Sequence, residues 1–324
     1  MKKKILVIHT GGTISMCEDE ATGAVRPSSS NPLTDKTQGL VDFADLIIEE
    51  PFNLPSPHIT PKEMLDLREL ILQKISVNQI SGVVITHGTD TLEETAYFLD
   101  LTVQTSIPIV VTGAMRSSNE IGSDGLYNLI SSIKVAASDE AREKGVLVVL
   151  NDEIHTAENV TKTHTSDIST FQSPQYGPIG IVTKRGVIFH HIPLGKEYYD
   201  IQDVSKRVVL IKAHAGMDST LLHAINELPC DGIVIEALGQ GNLPPATIPG
   251  IQALIQNDIP VVFVSRCFNG IAQDTYAYLG GGKQFKELGV IFSNGLNGQK
   301  ARLKLLILLA AKRNLKEIEE AFSL

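Results

Sequence analysis

Short apolar runs of strand character alternate along this chain with longer stretches of helical period, and that alternation admits few folds. Residues 5–9, 83–86, 109–112 and 146–150 read as strands, while 60–74, 91–101 and 126–137 carry the spacing of amphipathic helices. Strands separated by helices build a parallel, doubly wound sheet covered on both faces. Thr60-Pro61-Lys62-Glu63 marks one helix start independently: a threonine cap, proline at the first helical position and glutamate at the third. Between about residues 190 and 204 the period lapses into Pro193, Leu194, Gly195, Lys196 and the cluster Tyr198-Tyr199-Asp200, the composition of a connection. Beyond it, strands at 208–211, 232–235 and 261–265 alternate with helices at 217–226, 247–257 and 299–312. The expected architecture is α/β: a larger N-terminal, mainly parallel doubly wound domain over residues 1–189, a linker at 190–206 and a smaller C-terminal α/β domain over 207–324. No fixed-period repeat or low-complexity tract interrupts it.

A length of 324 residues with 43% hydrophobic composition supports two ordinary domains with real cores. The formal net charge of -9, with both signs scattered, argues against binding nucleic acid through its phosphates and favours small-molecule work. Cys17, Cys230 and Cys267 lie far apart, without metal-ligand spacing or a disulfide framework, so a reduced cytoplasmic protein is expected. Met1-Lys2-Lys3-Lys4 has the charge of a leader, but the apolar run behind it ends at once in His9-Thr10-Gly11-Gly12 and reads as a first strand. The late apolar run 305–311 falls far short of the roughly 20 residues of a membrane span, so no membrane partner is expected.

In such sheets the chemistry sits where a strand hands over to a helix, and four strand ends compete for it. His87-Gly88-Thr89-Asp90-Thr91 follows Val83-Val84-Ile85-Thr86 and precedes Leu92-Glu93-Glu94. Its glycine allows a sharp turn, and a hydroxyl and a carboxylate then stand at a helix N-terminus. Thr91 with Glu94 also reads as a capping box, which leaves His87, Thr89 and Asp90 without a task. Thr10-Gly11-Gly12-Thr13-Ile14 lacks both the dinucleotide fingerprint and the P-loop ending, which disfavours a nucleotide site. It presents the Thr13 hydroxyl beside glycine N–H groups that can meet an anion or a developing oxyanion. Gly113-Ala114-Met115-Arg116-Ser117-Ser118 is small enough for a ligand to reach backbone carbonyls, although loop polarity accounts for most of it. Asn151-Asp152-Glu153 leads to Val160-Thr161-Lys162-Thr163-His164-Thr165-Ser166-Asp167, where Lys162 reads either as a surface lysine or as the activator of a hydroxyl nucleophile.

Together these segments resemble the bacterial-type L-asparaginase and glutaminase-asparaginase family along essentially the whole chain. Thr10-Gly11-Gly12-Thr13-Ile14 is similar to the family's first signature and His87-Gly88-Thr89-Asp90-Thr91 to its second. Gly113-Ala114-Met115-Arg116, Ser123-Asp124-Gly125 with Asn128, Asn151-Asp152, Val160-Thr161-Lys162-Thr163, Leu296-Asn297 and Gln299-Lys300-Ala301-Arg302 follow in family order. The resemblance implies hydrolysis of L-asparagine to L-aspartate and ammonia, with lesser activity on L-glutamine and no metal or organic cofactor. Thr13 would be the nucleophile; Thr89, Asp90 and Lys162 would form the second threonine and its relay. A lysine in such a role needs shelter from solvent, so Lys162 is expected to be largely buried. Substrate contacts are implied for Gly12, Ser56, Gly88, Thr89, Asp90 and Ala114, with Asp90 meeting the α-ammonium, Ser56 the α-carboxylate and the Ala114 backbone the amide end. Asn242 would complete the pocket from a neighbouring subunit of a homotetramer built as a dimer of dimers.

Three positions depart from that pattern. Many relatives carry a tyrosine in the loop after the first signature; here Ala24 or Val25 stands near that place, and no tyrosine precedes Tyr97. Pro57 follows Ser56 where secreted relatives have an amide side chain, and Tyr276 stands near their partner-subunit glutamate. These departures point to the cytoplasmic branch. Alternative readings are a non-catalytic amino-acid-binding or regulatory homologue, motivated by the missing tyrosine, and the amidase subunit of a tRNA-dependent amidotransferase. The latter adds a domain and a basic surface that this sequence does not display. A dinucleotide-binding oxidoreductase is disfavoured by the missing fingerprint.

Overall fold

A computed structural model describes residues 2–19, 22, 24–27, 33 and 44–323. The chain forms two compact units, Met1–Tyr198 and Tyr199–Leu324. In the first, the elements are β1 (Lys4–His9), β2 (Met16–Glu18), β3 (Val25–Pro27), β4 (Asp45–Glu49), α1 (Pro61–Asn78), β5 (Gly82–Thr86), α2 (Leu92–Thr102), β6 (Ile109–Thr112), α3 (Gly125–Ala136), β7 (Val146–Leu150), β8 (Glu153–Thr156), β9 (Thr161–Lys162), β10 (Phe171–Gln172), β11 (Gly180–Thr183) and β12 (Gly186–Phe189). Eight of these strands form one sheet in the order β12-β11-β8-β7-β6-β5-β1-β4. Pairing is parallel from β4 through β1, β5 and β6 to β7, and antiparallel beyond.

The parallel strands are nearly unbroken Val, Ile and Leu because both faces are covered. Ile5, Val7, Val84, Val110 and Leu147 pack under Leu129 and Ile133 of α3. The alternate residues Leu6, Ile8, Val83 and Ile85 are also fully buried, each contributing about 1.5–3 kcal/mol relative to exposure. The expected helix start at Thr60 holds: its hydroxyl accepts from Lys62 N and its own N–H donates to Glu63 Oε2 (2.9 Å). The antiparallel extension β8, β11 and β12 escaped the sequence reading because hairpin strands this short cannot show a period.

In the second unit, β13 (Val208–Lys212), α4 (Thr220–Asn226), β14 (Gly232–Ala237), α5 (Ile248–Gln256), β15 (Val261–Ser265), α6 (Gly282–Leu288), β16 (Ile291–Phe292), α7 (Gly298–Ala310) and α8 (Leu315–Ser323) surround a parallel sheet ordered β13-β14-β15-β16. Its core gathers Ile233, Ile235 and Phe263 of the sheet with Leu222, Ile251 and Phe285 of the helices. The first of these helices begins later than the expected residue 217, because Asp218 accepts Thr220 N (2.9 Å) and holds the preceding turn outside it. The α/β expectation, a larger mainly parallel N-terminal sheet and a smaller C-terminal α/β unit, is met.

The topology reverses at β1. The chain leaves β1 for β4 on one side and leaves β5 for β6 on the other, so the loops behind β1 and β5 diverge around a crevice. The two loops touch. A Cβ on Gly12 would stand 2.2 Å from Gly88 Cα, and one on Gly88 would stand 2.7 Å from Ser56 Cβ. Gly12 also has φ +83°, a backbone that L side chains rarely adopt. Because Gly88 lacks such a backbone, Gly88→Ala tests packing alone: it should destabilise the protein by roughly 1–3 kcal/mol in urea unfolding, and an unchanged midpoint would contradict this close approach.

Two buried histidines and a buried carboxyl contribute to the acid response of this unit. Burial lowers His9 and His87 from 6.5 to about 4, and burial raises Asp100 from 3.8 to about 6. As pH falls from 6.5 toward 4, the unfolded chain takes up two protons that the folded histidines refuse, so stability is lost. Below about pH 6 the folded Asp100 takes up one that the unfolded chain does not, offsetting one histidine. Stability should therefore decline by about 1.4 kcal/mol per pH unit near pH 5, and Asp100→Asn should steepen the decline. Urea midpoints that stay level between pH 7 and 5 would refute this balance.

Candidate active site

The crevice is built from the loops behind β1, β4 and β5, the loop behind β6, and the β9–β10 hairpin. Hydrogen bonds continue the sheet past its strand ends: Thr10 N donates to Thr86 O (3.1 Å), Leu54 N to Thr10 O (3.0 Å) and His87 N to Thr112 O (2.8 Å). Gly12, buried, leads into a single 3-10 turn, Thr13–Ser15, with Thr13 half-buried at its start. The Thr13 hydroxyl makes no hydrogen bond to any described residue, which leaves its proton and lone pairs to whatever enters the cleft.

His87 is a brace. A carbonyl only accepts, so the Nδ1 contact to Gly88 O (2.8 Å) assigns the proton to Nδ1, and Nε2 accepts from Thr95 Oγ1 (2.9 Å). The neutral ring thereby fixes the Gly88 carbonyl from below. Ser56, buried, meets the same segment from the other side: Asp90 N donates to Ser56 Oγ (3.2 Å) and Thr91 Oγ1 donates to Ser56 O (2.8 Å). The expected capping by Thr91 is thus corrected. Thr91 occupies the cap position of α2, but its hydroxyl makes no cap bond, since the Ser56 carbonyl is the partner within reach.

Lys162 arrives from β9, whose two residues pair with Gln172 and Phe171 of β10. Its Nζ donates to Thr89 Oγ1 (3.0 Å) and pairs with Asp90 Oδ1 (2.7 Å). The Lys162 side chain is 16% exposed, in keeping with the expected burial, whereas Asp90 is 60% exposed and opens the pair to solvent. Thr89 accepts from the ammonium, so its own proton is free to be donated into the cleft. Ala114 is fully buried in the loop behind β6. Asp124 holds that loop by accepting from Met115 N and Arg116 N (both 3.0 Å), and Asn128 Nδ2 donates to Gly113 O (3.0 Å). The sequence shows Asp124 at a helix start and Asn128 in its first turn, in family order but without a task, because that task depends on a loop brought back over them.

The hairpin β2–β3, which follows Thr13, pairs Glu18 with Val25. Asn119 grips it with two bonds, accepting from Glu18 N and donating to Glu18 O (both 2.8 Å). Residues 20, 21, 23 and 28–32 of this loop lie outside the described residues. In the C-terminal unit, Asn242 Oδ1 accepts from Gly282 N (3.1 Å), and Tyr276 is 43% exposed with its ring 5.6 Å from Tyr278. The loops carrying Asn242 and Tyr276 are tied by Gln273 N donating to Gln240 O (2.7 Å).

A hydroxyl held by an ammonium–carboxylate pair, beside a second hydroxyl on a touching loop, is suited to attack on an acyl carbon and to moving the protons that attack requires. Comparison with known proteins agrees with that class. Residues 4–194 match the family "Asparaginase, N-terminal", and residues 207–322 match "Glutaminase/Asparaginase C-terminal domain". A probable L-asparaginase of Deinococcus radiodurans is 38% identical, the match covering 99% of this chain and 97% of that one. An L-asparaginase of Bacillus licheniformis is 32% identical over 96% of this chain and 97% of its own. The crystal structure of a probable cytoplasmic L-asparaginase from Campylobacter jejuni superposes with a TM-score of 0.88 at 31% identity, covering 99% of each chain. With both halves matched in order and relatives above 30% identity aligned over nearly their full length, this chain belongs to the asparaginase family.

Proposed function

We propose that this protein is an L-asparaginase that hydrolyses the side-chain amide of L-asparagine through a threonine nucleophile, releasing L-aspartate and ammonia. The observation that carries the mechanism is the Lys162 Nζ bridge to Thr89 Oγ1 and Asp90 Oδ1, set beside the contact between the Gly12 and Gly88 loops. Thr13 Oγ1 attacks the amide carbon, ammonia leaves, and water then releases aspartate from the threonine ester. The Thr89–Lys162–Asp90 chain moves the protons, with Thr89 as the group facing the reacting atoms. A misplacement of about 1 Å in such a relay can cost on the order of 100-fold in rate, which is why both ends of Lys162 matter.

Substrate recognition follows from what the site leaves available. Ser56 Oγ accepts from Asp90 N, so its proton can go to the α-carboxylate. The exposed Asp90 carboxylate meets the α-ammonium, the backbone at Gly12, Gly88 and Ala114 lines the amide end, and Asn242 and Tyr276 come from a neighbouring subunit of a cytoplasmic homotetramer. Residues 1–189 serve as the catalytic domain, joined through 190–206 to the domain 207–324. The room for one extra methylene decides between L-asparagine and L-glutamine, a discrimination worth roughly 1–3 kcal/mol in a fitted pocket.

Purified protein should release ammonia from L-asparagine, and Thr13→Ala should abolish that release while binding of L-aspartate persists. Binding without turnover by the unaltered protein would instead identify a non-catalytic amino-acid-binding homologue. Lys162→Met should lower kcat on the order of 100-fold or more with less effect on KM, as expected for a lost proton-transfer group. Tyr276→Phe should change the KM for L-asparagine; unaltered KM and kcat would remove Tyr276 from the pocket.

A further inference from the structure

Glu93 lies in the first turn of α2 and is 4% exposed. A carboxylate in that place is stabilised by the helix N-terminus, but burial still demands partners. Its Oε1 accepts from Thr161 Oγ1 (3.0 Å) and from Lys162 N (3.2 Å). These are the two residues of β9, whose ladder with β10 is two pairs long and continues only into the turn, where Thr163 N donates to Thr170 O (2.8 Å). On a ladder of two pairs, further support of the backbone bears directly on where a side chain with four rotatable bonds is placed.

We propose that Glu93 is a positioning residue for Lys162: its carboxylate oxygen clamps the backbone of Thr161 and Lys162 so that Nζ reaches Thr89 and Asp90. Thr89, Asp90 and Glu93 belong to one continuous segment, the loop behind β5 and the first turn of α2. Lys162 is therefore held by that segment at both ends, main chain on Glu93 and ammonium on Asp90. Any shift of β9 would be felt directly in the Nζ–Thr89 distance. This inference rests on the relay reading of Lys162 given above.

The test measures kcat and KM on L-asparagine for Glu93→Ala, Glu93→Gln and Thr161→Val, each alone and combined with Lys162→Met. Glu93→Ala should lower kcat on the order of 100-fold, the penalty of a displacement near 1 Å, with KM little changed. Glu93→Gln should regain most of the loss, because its amide oxygen accepts the same two bonds. Added to Lys162→Met, Glu93→Ala should cause no further loss, since it acts only through the lysine. A folded Glu93→Ala with full kcat, a Glu93→Gln as impaired as Glu93→Ala, or losses that multiply in the double variant would each overturn the proposal. If Glu93→Ala does not fold, Thr161→Val decides: kcat should fall, and only while Lys162 is present. A fully active Lys162→Met would defeat the relay reading itself, whereas an impaired Lys162→Met beside an unimpaired Glu93→Ala would defeat this inference alone.

Discussion

The backbone contact between Gly12 and Gly88 is the constraint on which the site depends. Two loops that leave the sheet in opposite directions can share a crevice only if their main chains meet without side chains between them. Glycine on both sides permits that approach, and Thr13 and Thr89, each the next residue in its loop, are carried into the same cleft. A third loop closes on the pair through Ser56, whose Cβ stands against Gly88 and whose two oxygens take Asp90 N and Thr91 Oγ1. The arrangement is held by close packing, main-chain bonds and the Ser56 and Thr91 hydroxyls, while the Thr89 hydroxyl is engaged by Lys162.

Buried polar groups are used as braces around this contact. His87 is kept neutral, its two ring nitrogens engaged with Gly88 O and Thr95 Oγ1. Asp124 and Asn128 hold the loop of Ala114 by its backbone, and Glu93 holds the backbone that carries Lys162. The one strongly exposed member of the constellation is the Asp90 carboxylate, the group that a charged substrate would meet first. Polar residues turned inward thus support the loops of the candidate site. The C-terminal unit follows the same rule with Lys304, buried beneath the Phe322 ring and donating to Ala321 O (2.6 Å).

Much of this was legible in the sequence. Apolar runs separated by helical period dictate a parallel sheet, because only strands covered on both faces can be apolar at successive positions. Glycine, threonine and aspartate at the strand ends likewise mark candidate positions for a ligand, since strand-end loops are where such sheets place their chemistry. The Thr60 capping box is a local device, read from four consecutive residues and found as expected. The role of Thr91 was misread because a cap and a long-range bond look identical in one dimension; the carbonyl it prefers lies on Ser56, 35 positions away.

Strand order decided the rest. Local pattern alone marks the central parallel strands β1, β5, β6 and β7, the glycines behind them, and Thr13, Thr89, Asp90 and Lys162 as candidates for one reaction. Only the tertiary structure brought β1 between β4 and β5, and with it the touching loops, the lysine that crosses 72 positions to Asp90, and the glutamate beneath it. The physical reason is that local pattern encodes burial and turning, which are properties of neighbouring residues. Hydrogen bonds between distant loops depend on topology, and no period or motif along the chain records them.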